Sequence, residues 1–96
     1  MLEIRLNCEN CDTPLPNDST EAMICTFECT YCINCVENIL MNVCPNCGGG
    51  FEKRPTRPKA LLKKHPPSKE KVFNPVNIEK FEKVLNRKKN IDPRKR

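Results

Sequence analysis

Residues 25–47 read CTFECTYCINCVENILMNVCPNC, and the spacing of cysteine in this stretch decides the fold. It holds Cys25, Cys29, Cys32, Cys35, Cys44 and Cys47, and just upstream stand Cys8 and Cys11. The eight cysteines fall into four close pairs: Cys8-x2-Cys11, Cys25-x3-Cys29, Cys32-x2-Cys35 and Cys44-x2-Cys47. A two-residue gap lets both thiolates of a pair turn inward to one metal, and four thiolates complete a tetrahedral structural Zn²⁺ site. Two closed sites, hence two Zn²⁺ per chain, are expected. A closed site leaves no open position for water, which argues against metal catalysis, and no enzyme activity is expected.

Working outward, the 96 residues suffice for one small domain and a tail, with four Phe, one Tyr and no Trp. A core this small needs a staple. Disulfides are the first rival to metal. The opening Met1-Leu2-Glu3-Ile4-Arg5-Leu6 has no apolar h-region or small-residue cleavage site, so it does not read as a secretory signal. No later stretch is apolar enough to span a membrane. The expected compartment is therefore a reducing cytoplasm, where disulfides do not persist. An iron–sulfur cluster is the second rival, suggested by the Cys29-x2-Cys32-x2-Cys35 run and the later Cys44-Pro45. The gap before Cys44 is too long for the bacterial ferredoxin pattern.

After Gly48-Gly49-Gly50 the composition turns to Lys, Arg and Pro. The expected organisation is a double metal module over 1–50, a Pro/Lys/Arg-rich extended linker over 51–73, and an amphipathic basic helix with a disordered end over 74–96. Residues 1–50 carry one basic side chain against seven acidic, a net of −6, and residues 51–96 carry sixteen basic against five acidic, a net of +11. Eight thiolates and two Zn²⁺ would bring the formal +5 close to +1, so the loaded molecule is an acidic head with a basic tail.

Leu2, Ile4 and Leu6 alternate with charged residues and predict a short strand. Residues 22–28 read as a second strand, and 33–42 as a helix with Val36, Ile39 and Leu40 on one face. Met23, Leu40 and Met41 are expected in the core, and Gly48 to Gly50 in a turn that needs φ > 0. His65, between Lys64 and Pro66, reads as a solvated tail residue. A tail helix over 75–89 is predicted, with Asn74 as N-cap, Pro75 in the first turn and Phe73 stapled onto Ile78. Ile78, Phe81, Val84 and Leu85 would share the face that packs on the domain, with Lys80, Lys83 and Arg87 opposite.

The full spacing, from Cys8 to Cys47, resembles the RING finger family over roughly residues 6–50. Tyr31 precedes Cys32 where RING domains carry an aromatic, Val36 follows Cys35 where they carry a core aliphatic, and Cys44-Pro45-Asn46-Cys47 resembles their closing knuckle. Cys29 stands where His is commoner. The resemblance implies a small α+β, treble-clef fold with a short β-hairpin, one helix and a cross-brace: Cys8, Cys11, Cys32 and Cys35 on one zinc, Cys25, Cys29, Cys44 and Cys47 on the other. Placing Cys32 and Cys35 at the opening of the predicted helix supports that pairing, since helical amides favour the charge of a four-thiolate site. Sequential pairing, with Cys8 and Cys11 joined to Cys25 and Cys29, is the alternative. The whole chain also resembles a small bacterial family known as a domain of unknown function, through Met1-Leu2-Glu3, Asp18 to Cys25, and Cys44 to Gly49.

The RING resemblance raises ubiquitin-like ligase activity as an alternative function. Its contact positions depart from the family: Asn10 replaces an apolar residue, only Met41 or Val43 stands near the usual aromatic, and Gly48 and Gly49 replace the linchpin arginine. Pro45 alone matches. The expected function is a structural zinc protein that acts as a protein-interaction module, with an unidentified protein partner. Weak nucleic-acid binding through the basic tail is the remaining alternative, and no membrane partner is expected.

Overall fold

Cys25 and Cys29 sit at the turn of a hairpin. In the computed structural model, which describes residues 1–96, β1 (Ala22–Ile24) and β2 (Thr30–Cys32) pair antiparallel with Met23 opposite Tyr31. The turn closes through Glu28 N–H to the Cys25 carbonyl (3.0 Å), with Glu28 in the left-handed region at φ 65°. That reversal ends the predicted 22–28 strand at Ile24 and leaves Phe27 exposed at the tip.

Helix α1 (Ile33–Asn38) follows β2 directly. It is shorter than the 33–42 expectation. Met41 and Asn42 take φ of 49° and 59°, and Asn42 N–H returns to the Val36 carbonyl, so the chain doubles back toward Cys44 instead of continuing the helix. Val36 and Leu40 are buried as expected, whereas Ile39 and Met41 are exposed because they lie on the outer side of this reversal. Met23 is half-buried against the core.

Beyond the glycines, β3 (Glu52–Lys53) pairs antiparallel with β1, giving the sheet order β2-β1-β3. The composition break at Gly50 therefore lies inside the sheet. Phe51, just before β3, packs edge-to-face on Tyr31 at 5.5 Å between ring centres, and its N–H is held by Asn42 Oδ1. Such a pair is worth about 1 kcal/mol beyond its burial.

The expected strand at Leu2–Leu6 does not form. Ile4 is buried and the segment pairs only through an isolated Asn7–Pro14 bridge, where Pro14 has no N–H to extend a ladder. Its carbonyls are bonded by arginines instead. Arg54 donates to Arg5 O (2.6 Å), Leu15 O (3.0 Å) and Pro16 O (2.6 Å), and Arg57 donates to Leu2 O and to His65 O. His65 is accordingly half-buried rather than free in solvent.

The stretch expected as an extended linker includes a short helix, α2 (Lys59–Leu62), and then returns to the N-terminal segment. Ser68 N–H reaches Ile4 O, and Asn7 Nδ2 donates to Val72 O. The tail helix, α3, runs Ile78–Lys88 and is capped by Asn77, whose Oδ1 accepts from Lys80 N–H. Asn74, the expected cap, donates its N–H to Glu9 O, so Pro75 lies in the approach rather than the first turn. Phe73 and Ile78 are both exposed, and no staple joins them. Phe81 enters the main core, with Val76, Val84 and Leu85 packed on it. A short 3-10 turn (Pro93–Lys95) follows, where a disordered end was expected.

Candidate metal centre

The first and last cysteine pairs are built alike. Cys8 N–H bonds Thr13 O and Asp12 N–H bonds Cys8 O, each at 2.9 Å, with Asp12 at φ 64°. Cys44 N–H bonds Gly49 O and Gly48 N–H bonds Cys44 O, each at 2.8 Å, with Gly48 at φ 78°. Each knuckle points two thiols to one side and closes on a left-handed residue. Gly48 is the one glycine of the run with positive φ.

The sheet then decides which pairs meet. Glu9 is buried and binds β2 twice: its N–H donates to Thr30 O (3.0 Å) and its carboxylate accepts from Thr30 N–H (2.5 Å). Arg5 completes the carboxylate with a 2.8 Å ion pair. This fastens the Cys8 knuckle two residues before Cys32. On the other side, β3 pairs with β1 and carries the Cys44 knuckle to the Cys25 end of the hairpin. The result is interleaved. Cys8, Cys11, Cys32 and Cys35 place their sulfurs within 4.8 Å of one another, as do Cys25, Cys44 and Cys47. Cys29 falls outside that mutual spacing but stands beside Cys25. Cys8 is grouped with Cys32, not with Cys25, which is the opposite of sequential pairing.

The donor sets fit a metal. A tetrahedron with Zn–S of 2.3 Å requires sulfurs about 3.8 Å apart. Cys8 Sγ–Cys35 Sγ is 3.8 Å and Cys11 Sγ–Cys32 Sγ is 3.6 Å. All eight cysteines are free of disulfides, and six of them are buried. Burial pushes the Cys8, Cys29, Cys35 and Cys44 thiols above the ordinary value. Burial also opposes ionisation at Cys11, yet hydrogen bonds from the Thr13 side chain and backbone and from the Cys8 and Cys32 thiols outweigh it and lower Cys11 to about 7. Gathered thiolates would repel one another, and a divalent ion at the centre of each group would offset that repulsion.

Two asparagines take a role at the sulfurs that the sequence reading did not suggest. Asn10 Nδ2 donates to Cys35 Sγ and Asn46 Nδ2 donates to Cys29 Sγ, both at 3.4 Å. Each amide reaches from its own knuckle to the partner pair, the outer-shell support that orients metal ligands. The signal was present as a repeated Cys-x-Asn-Cys at 8–11 and 44–47. Glu9, Arg5, Arg54 and Arg57 carried no such signal, because their partners are main-chain groups or side chains that only folding brings near.

A family model described as protein of unknown function (DUF1272) matches residues 1–57, more than half of the chain. The chain belongs to that family. A protein of Rhizobium meliloti (strain 1021), described as uncharacterized, is 56% identical over 75 residues, covering 78% of this chain and 89% of that one. No solved structure matches significantly. The DUF1272 match runs past Gly50 through β3, Arg54 and Arg57, the residues that close the sheet and bond the N-terminal carbonyls. No helix of the chain is long and apolar enough to cross a membrane.

Proposed function

We propose that this protein is a structural zinc protein with two four-thiolate sites in a RING-like cross-brace, acting as a non-catalytic interaction module. The observation that carries the proposal is the interleaved grouping of the thiols, with sulfur separations in the first group that suit a tetrahedral ion. Cys8, Cys11, Cys32 and Cys35 would hold one Zn²⁺, and Cys25, Cys29, Cys44 and Cys47 the other. Cys29 adjoins Cys25, which puts the fourth thiol beside the other three. Four sulfurs per ion leave no position for water or substrate, so the metal supplies cohesion rather than chemistry. Phe27, Ile39 and Met41 are exposed apolar side chains that a partner could cover.

Metal analysis of the purified protein tests the proposal. Two zinc ions per chain and a colourless solution are expected, with Co²⁺ replacement giving the visible bands of tetrahedral thiolate coordination. A brown protein containing iron and sulfide would replace this reading with an iron–sulfur one.

A further inference from the structure

The Asn10 side chain is bonded at both ends. Its Nδ2 donates to Cys35 Sγ (3.4 Å), and its Oδ1 accepts from Val76 N–H (2.9 Å). One amide thus touches the first thiol group on one side and the C-terminal arm on the other. The contact is not isolated. Asn74 N–H bonds Glu9 O (2.8 Å), Lys71 Nζ pairs with Asp12 Oδ2 (2.7 Å), and Asn7 Nδ2 bonds Val72 O (2.9 Å). Every arm contact in this set falls on residues 7–12, the knuckle that presents Cys8 and Cys11. No arm residue hydrogen-bonds to the corresponding Asn46 of the other knuckle.

Charge works in the same direction. A four-thiolate Zn²⁺ site carries a net of −2, so loading two such sites takes residues 1–50 from a formal −6 to −10, facing a net of +3 on residues 68–88. Loading therefore strengthens the attraction for the arm as well as shaping the knuckle that receives it. Loss of the ion would remove the thiolate charge that draws Asn10 Nδ2 to Cys35 Sγ, leaving the amide held only by Val76 N–H. The arm that is then let go contains α3, whose Phe81 is packed in the core while Lys80, Lys83 and Arg87 face solvent.

We propose that Asn10 is a positioning residue that clasps the arm, residues 68–88, to the first metal site, so that metal occupancy at Cys8, Cys11, Cys32 and Cys35 controls display of the amphipathic helix α3. This inference rests on the two-zinc reading. By linkage the effect is reciprocal: an arm that is tied down by the bound metal raises the affinity for that metal by the same factor. The second site has no hydrogen-bonded clasp of this kind.

The test uses the full chain loaded with cadmium-113, whose two resonances report the two sites separately. Trypsin cleavage at Lys80, Lys83 and Arg87 reports the arm. Asn10→Ala removes the amide. Val76→Pro removes the N–H that Asn10 Oδ1 accepts from and alters one side chain at the edge of the core, at a position ahead of α3 where no helical bond is lost, and so stands if Asn10→Ala does not fold. Both variants are expected to shift one resonance, to speed chelator-driven release from that site by about 10-fold or more, and to raise arm cleavage by a similar factor while the second resonance stays in place. Equal release rates from the first site in Val76→Pro and wild type, or an arm equally protected in both, would overturn the clasp. A wild-type chain that takes up no metal would instead remove the two-zinc reading beneath it.

Discussion

The knuckles at Cys8–Cys11 and Cys44–Cys47 share their hydrogen bonding, their left-handed closing residue and an asparagine donating to a distant sulfur, yet they are held in the molecule differently. The first is gripped by β2 through Glu9, by Arg54 through the carbonyls of Arg5, Leu15 and Pro16, and by the arm through Asn10 and Asp12. The second relies on the glycine turn, the strand that follows it and Arg96, which donates to Asn42 O and Gly48 O. Its thiols are also less tightly gathered, with Cys29 aside. The same local motif therefore belongs to two different mechanical settings, and the setting is supplied by residues far away in sequence.

The comparison breaks most severely when a thiolate is removed. Cys35→Ser is expected to lose the first metal and free the arm, and Cys44→Ser to lose the second metal, so metal content falls from two ions to one in each. Because structural zinc contributes on the order of 10 kcal/mol to a small domain, chelating both ions should abolish the circular dichroism of the folded head. Retention of both ions in either variant would contradict the grouping.

Arg54→Ala comes next. Its guanidinium is buried without a carboxylate partner, and burial lowers its pKa, so its role is to bond three carbonyls. Leaving those acceptors unpaired should cost about 3 kcal/mol or more, read as a lower denaturant midpoint of the zinc-loaded protein. Arg54→Lys should recover little, since one ammonium cannot span carbonyls on separate segments. The loss should appear first around the Cys8 knuckle, where hydrogen exchange will rise before it does at Cys44–Cys47.

Acidification acts on both groups. Metal must displace protons from Cys8 and Cys35 in the first group and from Cys29 and Cys44 in the second, all raised by burial. Below those values the free thiols hold protons, so metal affinity falls as pH falls, by about 1.4 kcal/mol per displaced proton per pH unit. Cys11, lowered to about 7, is already partly thiolate at neutrality and adds to this loss mainly below that point. Zinc release to a colorimetric chelator between about pH 7.5 and 5.5 should therefore increase downward, and a flat profile would contradict thiolate ligation.

The smallest expected effect distinguishes the closing residues. Gly48→Ala puts a Cβ on a left-handed residue, with the nearest Lys88 atom at an ordinary 3.6 Å, so the cost is conformational and about 1 kcal/mol. Asp12→Gly relaxes the same conformation but loses the ion pair with Lys71, so its net effect on thermal stability should be well under 1 kcal/mol, with faster arm cleavage.

Much of this was legible from cysteine spacing. Four close pairs specify where knuckles form, because a two-residue gap has few ways to aim two thiols at one point. Val36 and Leu40 were readable as core, and α3 as amphipathic, although its start shifted from Pro75 to Ile78 once Asn74 and Val76 N–H groups found partners on the first knuckle. The strand expected at Leu2–Leu6 followed a correct alternation at Ile4 but had no neighbour to pair with, since Arg54 and Arg57 occupied its carbonyls.

What the sequence determined by itself was local: the pairs, the turns and the apolar stripe of the tail helix, each set by bonds spanning a few residues. Which pairs share a group was settled by the order β2-β1-β3, together with the Glu9–Thr30 bonds that dock the first knuckle on β2. So was the return of residues 68–88 to residues 4–12. These contacts join segments separated by up to about two-thirds of the chain, and their donors and acceptors are mostly main-chain groups that every residue carries, so no residue type announces them.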